Sequence, residues 1–376
     1  MDYLRPLRWN LRTSGRPEPP VLSRRGFLAM AAAGRLSGPE WLRYPDPATE
    51  LEVVRLTDPA FASGMTAMHL RQFTRHASSL LYWSERFSPG VRQAFVLDSR
   101  SGQSRQLTEA AALDASTLSL SPDERSFFFF DGNSLNEAVL SSDRSRQIHA
   151  VPEGAVRSGF SIASDGAAIF SERRNGRSGI VSVLRGQARR VMEIDEEIEG
   201  PMARPRHSQI LYRAGGQFWL VSGDGSGKRQ LKTAEGHTAS ALWIPSGRTF
   251  IYLHLPEDPK ELVTLREHAP DDGTDFLLAK TSQFTSASPN ADASVFTGAS
   301  RSRASAYVLI LLRVARRELT LCEHRASDPA MVRPVFSPDS QNVLFVSDRH
   351  GKPAIYQVHV ARFVEETGSD VRQDAR

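Results

Sequence analysis

Histidine, arginine and glutamine side chains are the groups in this sequence that could bind a metal, accept a proton or stabilise a negative charge. The candidates among them lie far apart along the chain. The ten histidines form no closely spaced metal-binding pattern such as H-E-x-x-H. The candidates instead recur roughly once per repeat of about 40 residues, so only a ring of similar units would bring them together. They are His69, Arg204, Arg213, His237, Gln283, His324 and Arg333.

The elements that must position these residues are clearest in residues 336–360, FSPDSQNVLFVSDRHGKPAIYQVHV. Ser337 to Ser340 have turn chemistry, and Val343 to Val346 form a short apolar run of strand formers. Residues 348–351 break the run with the glycine that a tight hairpin favours, and a second strand follows. Weaker copies of this unit begin at Phe73, Leu120, Ser161, Ala203, Leu242 and Ala287.

Seven such units, spaced roughly 40–50 residues apart, are typical of four-stranded propeller blades. Each unit alone leaves one face of its sheet bare, so the units must pack on one another around an axis. We therefore predict an all-β fold for residues 41–363, a seven-bladed β-propeller of antiparallel blades. The last unit contains three strands, and we expect residues 51–57 to supply its outermost strand and close the ring.

The composition is that of an ordinary soluble protein, with 40% hydrophobic and 24% charged residues. The 47 basic residues are mostly arginine, and 43 residues are acidic. The arginine content favours binding of carboxylates or phosphates. The alternative is that these arginines form a solvated surface. A net charge of +4 is too small to predict nucleic-acid binding. The single cysteine, Cys322, excludes an intrachain disulfide and a cysteine-rich zinc site, and it is predicted to be buried in a strand.

Residues 1–40 lie outside the predicted propeller. The sequence LSRRGFLAMAAAG (22–34) has the pattern of a twin-arginine export signal and predicts a periplasmic or exported protein. Its apolar run is short, so a vestigial leader on a cytoplasmic protein stays an alternative. The run is far too short for an integral membrane segment. Residues 364–376 are expected to form a polar tail.

Several segments resemble the oligogalacturonate lyase family. They are YPDPATELEVVRLTDP (44–59), SRQLTE (104–109), LCEH (321–324) and residues 333–360, with AEGHTASALWIPSGRTFIYL (234–253) as an intermediate match. The resemblance covers nearly all of residues 44–360. It implies a seven-bladed polysaccharide lyase of pectin catabolism that cleaves oligogalacturonates by manganese-dependent β-elimination. The metal would bind the uronate carboxylate while a histidine removes the C5 proton and an arginine stabilises the developing charge.

The resemblance carries over to some positions only. His324 matches a metal histidine, with His237 and Gln283 as further metal candidates, and Arg204 matches the catalytic arginine. Arg213 stands at the position of the base histidine, and it stays protonated at neutral pH.

The remaining departures affect the metal and the substrate. Ser240 and Arg333 stand where the family has metal histidines, and a guanidinium has no lone pair to ligate a metal. We assign both to substrate binding. Gly64, Met65 and Thr66 replace a substrate-binding His-Arg-Asn. Two hypotheses follow: a lyase acting on oligogalacturonates or related acidic oligosaccharides, or a non-catalytic propeller that binds acidic sugars or a protein partner.

Overall fold

The protein folds as seven antiparallel sheets, which confirms the predicted seven-bladed β-propeller. The computed structural model describes residues 35–87, 89–142, 144–258 and 260–364. Thirty strands lie within these ranges, and each sheet contains four or five of them.

The strands are short, and most have two to eight residues. In the first half of the chain they are β1 (Leu36–Ser37), β2 (Leu42–Pro45), β3 (Glu52–Arg55), β4 (Ser63–Gly64), β5 (Ser79–Ser84), β6 (Gln93–Asp98), β7 (Ser104–Gln106), β8 (Ser119–Leu120), β9 (Ser126–Asp131), β10 (Ser134–Val139), β11 (Ser145–Ala150), β12 (Val156–Ile162), β13 (Ala168–Arg174), β14 (Arg177–Leu184) and β15 (Gln187–Ile194). In the second half they are β16 (Glu199–Ala203), β17 (Gln209–Ala214), β18 (Gln217–Ser222), β19 (Arg229–Gln230), β20 (His237–Trp243), β21 (Phe250–Leu255), β22 (Thr264–Ala269), β23 (Thr274–Lys280), β24 (Phe284–Pro289), β25 (Val295–Ser300), β26 (Tyr307–Leu312), β27 (Arg317–Glu323), β28 (Val335–Phe336), β29 (Asn342–Ser347) and β30 (Ala354–His359). Three 3-10 turns lie at Ala115–Thr117, Arg303–Ser305 and Pro329–Met331.

Each blade runs from an inner to an outer strand in chain order. Blade 1 is β4–β7 with β1 at its outer edge, and blades 2 to 6 are β8–β11, β12–β15, β16–β19, β20–β23 and β24–β27. Blade 7 is β28–β30 followed by β3 and β2. The inner strands β4, β8, β12, β16, β20, β24 and β28 surround the central channel. We call the face where these strands begin the start face, and the face where they turn into the second strands the turn face.

The predicted turn chemistry is present where inner strands lead into second strands. In blade 7, Ser337 Oγ donates to Asp339 Oδ1 (2.5 Å) and accepts from the backbone N–H of Asn342 (3.0 Å). In blade 2 the Oγ of Ser121 likewise donates to the carboxylate of Asp123 (2.6 Å). These Ser-Pro-Asp turns therefore fix the inner hairpin of their blades locally.

The N-terminal strands close the ring as predicted. β3 pairs with β30 in antiparallel register, with Val53 opposite Val358. Val53 is fully buried in the apolar cluster of blades 6 and 7. The predicted segment takes the fourth position in blade 7, and β2, which was not predicted, pairs outside it as a fifth strand. This splice covers the edge of β30 and ties the two ends of the described chain together.

Buried apolar side chains form seven clusters, and each cluster lies between neighbouring blades. Strand β9 shows how they connect. Phe127 and Phe129 pack toward blade 1, whereas Phe128 and Phe130 pack toward blade 3. Cys322 is fully buried in β27, as predicted. The blades are therefore sheets buried on both faces, held by blade-to-blade packing.

Residues 65–72 leave blade 1 between β4 and β5 and cross the central channel, and we call this segment the plug. Met68 packs against the cluster of blades 5 and 6 and against that of blades 7 and 1. Ala67 and Leu70 pack against the cluster of blades 2 and 3. Backbone hydrogen bonding fixes the plug to blade 2, where the N–H of Leu120 donates to the carbonyl of Arg71 (2.7 Å). The plug therefore contacts blades on opposite sides of the axis.

The predicted twin-arginine segment at residues 22–34 and the tail from residue 365 lie outside the described residues. Residues 36–37, within the leader predicted for 1–40, pair as β1 with the outer strand of blade 1. Within the described ranges, no helix has the length and apolar character needed to cross a membrane.

Candidate functional site

Irregular inner strands shape the start half of the channel. Four consecutive blades carry a bulge in the inner strand, between the residue pairs Ser158/Ser161, Glu199/Met202, Ala239/Leu242 and Phe284/Ala287. Gly159, Gly200 and Ser240 take equivalent bulge positions with φ between 52° and 62°. A β-bulge re-aims the side chains around it, and bulges are common beside binding sites. The bulges therefore mark the start half of the channel as the candidate site.

Strand direction brings six of the eight predicted residues to the start face, and the exceptions are His69 and Arg204. His237 begins β20, Gln283 directly precedes β24, and Arg333 precedes β28 by two residues. Second and fourth strands end on this same face, because neighbouring strands are antiparallel. There Arg213 lies near the end of β17 and His324 follows the end of β27; Ser240 lies in the bulge of β20.

His324 and Gln283 meet at one corner of blade 6. The Nε2–H of His324 donates to the carbonyl of Ser300 (3.1 Å), and the next residue, Arg301, donates its N–H to the carbonyl of Gln283 (2.9 Å). The Nδ1 of His324 accepts from the backbone N–H of Ala326 (3.1 Å). The ring is completely buried, and this burial lowers the pKa of His324. His324 is therefore a neutral histidine whose two nitrogens are both occupied.

The other predicted metal ligands do not complete a manganese site with His324. His237 is exposed, and Gln283 donates its Nε2–H to the carbonyl of Glu261 (3.3 Å). Ser240 is committed to a contact between blades, since its Oγ accepts from the backbone N–H of Ala287 (3.2 Å). In the part of the chain that the structure describes, no three His, Cys, Asp or Glu residues are grouped so that they could hold a metal ion. The donor set does not fit manganese, which needs several converging oxygen or nitrogen ligands.

Two of the predicted arginines lie on the start face. Arg213 lies 3.8 Å from the Glu199 carboxylate, is about one third exposed, and stacks on the Phe218 ring with its Cζ 5.7 Å from the ring centre. Arg333 is exposed and has a φ of 38°, and its Nε–H donates to the carbonyl of Ala330 (3.2 Å). Arg333 makes no ion pair with any acidic residue that the structure describes. Its guanidinium can therefore accept a carboxylate from solution.

Arg204 lies on the opposite face, at the turn that follows β16. Its side chain is 1% exposed, and its two terminal nitrogens pair with the Asp271 carboxylate at 2.7 and 2.5 Å. Its Nε–H donates to the carbonyl of Gly247 (2.7 Å), and Nη1 also donates to Gln209 Oε1 (2.7 Å). Hydrogen bonding to Arg204 holds the pKa of Asp271 below its usual range. The structure thus separates Arg204 from the other six residues and places it where it ties blade 4 to blade 5.

The turn half of the channel contains a cavity of about 360 Å³ that sequence reasoning did not identify. The plug residues His69 and Arg71 line it together with Trp243 and Phe336 from blades 5 and 7. His69 was a candidate because it belongs to a set of histidines and arginines that recur about once per repeat, whereas Arg71 gave no signal. The segment around Arg71 has no strand pattern, so the sequence did not show that it crosses the channel.

Comparisons with known proteins agree with the architecture. No protein-family model matches the chain. It is 22% identical over 373 residues to the oligogalacturonide lyase of Pectobacterium atrosepticum and 21% identical over 379 residues to the oligogalacturonate lyase of Dickeya dadantii. Each alignment covers 84% of this chain and 95% of the relative.

Solved structures show the same likeness. An oligogalacturonate lyase in complex with manganese superimposes with a TM-score of 0.80 and 22% identity, covering 87% of this chain and 98% of that one. The oligogalacturonate lyase of Vibrio parahaemolyticus gives a TM-score of 0.81 and 23% identity, over 88% and 99% of the two chains. The chain therefore shares the complete propeller of these proteins and is distantly homologous to them.

Proposed function

We propose that this distant homologue of the oligogalacturonate lyases recognises short oligogalacturonates on the start face of its propeller, without a resident manganese ion. The observation that carries this proposal is the exposed Arg333, which takes the place of a family metal histidine and forms no ion pair with any acid in the described ranges. A guanidinium binds a carboxylate directly and bidentately, whereas a metal would bind it through coordination. One uronate carboxylate can therefore be held here by protein charge alone.

Arg213 extends the same chemistry to a second position on this face. Its ion pair with Glu199 is long at 3.8 Å, and the Glu199 carboxylate is 59% exposed. An exposed pair of this kind contributes little free energy, so an incoming carboxylate can compete for the guanidinium. Because each sugar of an oligogalacturonate carries one carboxylate, two arginines on one face favour an oligomer over a monosaccharide.

Cleavage by β-elimination is a second candidate function, favoured by the retention of the whole lyase propeller over 88% of the chain. Elimination needs a base for the C5 proton, and the Arg213 guanidinium has no acceptor lone pair to take it. His237 is the exposed imidazole among the predicted start-face residues and would have to take this role. An arginine bound to the uronate carboxylate would then stabilise the negative charge that spreads from C5 onto that carboxylate. The C4–O bond breaks as the C4–C5 double bond forms, and the leaving oxygen takes a proton from water.

Calorimetric titration with trigalacturonate tests recognition. We expect Arg333→Met to weaken binding roughly ten- to hundred-fold, because losing hydrogen bonds to a charged group costs about 1.5–3 kcal/mol. The matched control is Arg317→Met, since Arg317 is exposed at the beginning of β27 on the turn face. Equal affinity of both variants and wild type would contradict the assignment of the start face.

The ultraviolet absorbance of the conjugated double bond that a lyase creates tests elimination on the same samples. A signal that appears without added metal and disappears in His237→Gln would establish the second function. A signal that requires manganese would contradict our conclusion that the donor set does not fit this metal.

A further inference from the structure

The cavity on the turn face has the features of a second ligand site, and it shares no lining residue with the start-face site. Its volume of about 360 Å³ lies within the range of roughly 300–1,000 Å³ that is usual for small-molecule pockets. The plug forms one wall, and residues of blades 3 to 7 form the others. It opens beside Pro205, Pro245 and Pro338, which lie in the turns after the inner strands. The cavity therefore opens on the face opposite the start-face site.

Arg71 gives this cavity an uncompensated positive charge. It is the one charged side chain among the described residues that line the cavity, and none of those residues is acidic. Within the described ranges Arg71 forms no ion pair. Desolvation by the surrounding channel walls and the nearby Arg75 lower the pKa of Arg71, and Glu124 offsets only part of this effect. Because the residue is solvent-exposed, its guanidinium is available to pair with an anionic group that enters the cavity.

His69 adds a hydrogen-bond acceptor to the same wall. Its Nε2–H donates to the carbonyl of Phe160 (2.7 Å), which fixes the tautomer and leaves the lone pair on Nδ1. His69 is solvent-exposed where it lines the cavity, and desolvation by the surrounding protein lowers the pKa of His69. The neutral ring therefore offers Nδ1 to a hydroxyl group rather than a second positive charge.

The remaining walls combine aromatic surface with further polar groups. Trp243, Phe73 and Phe336 provide aromatic side chains, which cover the C–H faces of a small ring well. Gln72 is 3% exposed, and its Oε1 has no hydrogen-bond partner within the part of the chain described. Ser288 donates its Oγ–H to the carbonyl of Pro334 (2.9 Å) and so keeps acceptor capacity. The walls thus suit a ligand that has both an apolar face and hydroxyl groups.

We propose that this cavity binds a small hydroxylated carboxylate, such as a single hexuronic acid, with its carboxylate on Arg71 and a hydroxyl group on His69. Inorganic phosphate can also pair with Arg71, but it has no apolar face that could pack against the aromatic walls. The proposal goes beyond oligogalacturonate recognition on the start face and does not depend on it, since none of the start-face residues lines this cavity.

Calorimetric titration of the whole protein with D-galacturonate tests the proposal, with galacturonate methyl ester, galactose and phosphate as comparison ligands. We expect galacturonate to bind the wild type, and the uncharged ester and galactose to bind roughly ten- to hundred-fold more weakly, the factor expected for losing hydrogen bonds to a charged group. Preference for phosphate over galacturonate, or equal binding of the ester, would overturn the proposed ligand class. No detectable galacturonate binding would overturn the site.

Three variants assign the binding to the cavity. Arg71→Met should weaken galacturonate binding about ten-fold or more. The matched control Arg75→Met should change it at most a few-fold, because this side chain is 72% exposed and pairs with Glu124 outside the cavity. Loss of galacturonate binding in Arg333→Met but not in Arg71→Met would place the binding on the start face and refute the cavity. If Arg71→Met fails to fold, the ester comparison on the wild type still decides the need for a charged carboxylate.

Discussion

Arg204 connects two blades, and replacing it should show whether its role is architectural or catalytic. The variant Arg204→Met keeps much of the side-chain length and removes the guanidinium. In the native protein this group bonds the Gly247 carbonyl and Gln209 Oε1 and pairs with Asp271. We expect the loss to destabilise the junction of blades 4 and 5.

The magnitude follows from what each partner loses. The carbonyl of Gly247 and Oε1 of Gln209 would lose a donor, and a buried acceptor left unpaired costs about 1–3 kcal/mol. The Asp271 side chain is 64% exposed, so the loss of its ion pair adds at most about 1 kcal/mol. Together these effects amount to roughly 2–7 kcal/mol, a range that includes the cost of breaking a buried pair from one side. The shift per kcal/mol is about 2–4 °C for 150–250 residues and smaller for a longer chain, so the melting temperature should fall by roughly 3–10 °C.

Scanning fluorimetry and urea unfolding measure this change, and Arg317→Met is the matched control. Arg317 is exposed at the beginning of β27, so that control should change the stability by less than about 0.5 kcal/mol. The reasoning would be refuted if Arg204→Met melted with the wild type but lost oligogalacturonate binding or cleavage. That outcome would support the catalytic role that the family resemblance implies for Arg204.

Three further predictions concern the interior. Burial lowers the pKa of His324, so below about pH 6.5 the unfolded chain binds more protons than the folded one. Stability should therefore be complete above that pH and decline as the pH falls toward the lowered value, and urea titrations of His324→Gln should show a weaker decline. Gly298→Ala would place a Cβ 2.2 Å from the Phe284 ring, and it should lower the free energy of unfolding in urea by about 1–3 kcal/mol. The control Gly38→Ala would place a Cβ with no atom within 4 Å, so it should be nearly neutral. Cys322 is fully buried and its thiol pKa is raised, so a thiol reagent should label it only after unfolding; rapid labelling of the native protein would contradict its burial.

The sequence was sufficient to predict the fold because each blade is specified locally. Ser-Pro-Asp turns followed by short apolar strands recur along the chain, and the bonds of Ser121 and Ser337 show that these turns form from neighbouring residues. Even the closure of blade 7 could be predicted, because three strands at one end of a repeat array need a fourth from the other end. The additional strands β1 and β2 were missed, since edge strands of two to four residues leave little pattern.

The candidate site depended on contacts between residues far apart in the chain. The sequence provided the types and approximate spacing of His237, Gln283 and Arg333, and strand direction then placed them on one face. It could not show that both nitrogens of His324 are occupied, because the partners are backbone groups whose positions depend on β25 and on the turn after β27.

By itself, then, the sequence determined the repeat and the number of blades, because turns and strand periodicity are local properties of the chain. The relationship to the lyases was visible in the resemblance of particular segments, such as residues 44–59 and 333–360. Only the tertiary structure decided the surroundings of each polar group. It placed Arg204 at a junction between blades rather than beside the other predicted residues, and it brought Arg71 and His69 into the channel through a segment without regular structure. The physical reason is that burial, charge compensation and lone-pair availability are set by neighbours from other blades, and no local pattern encodes those neighbours.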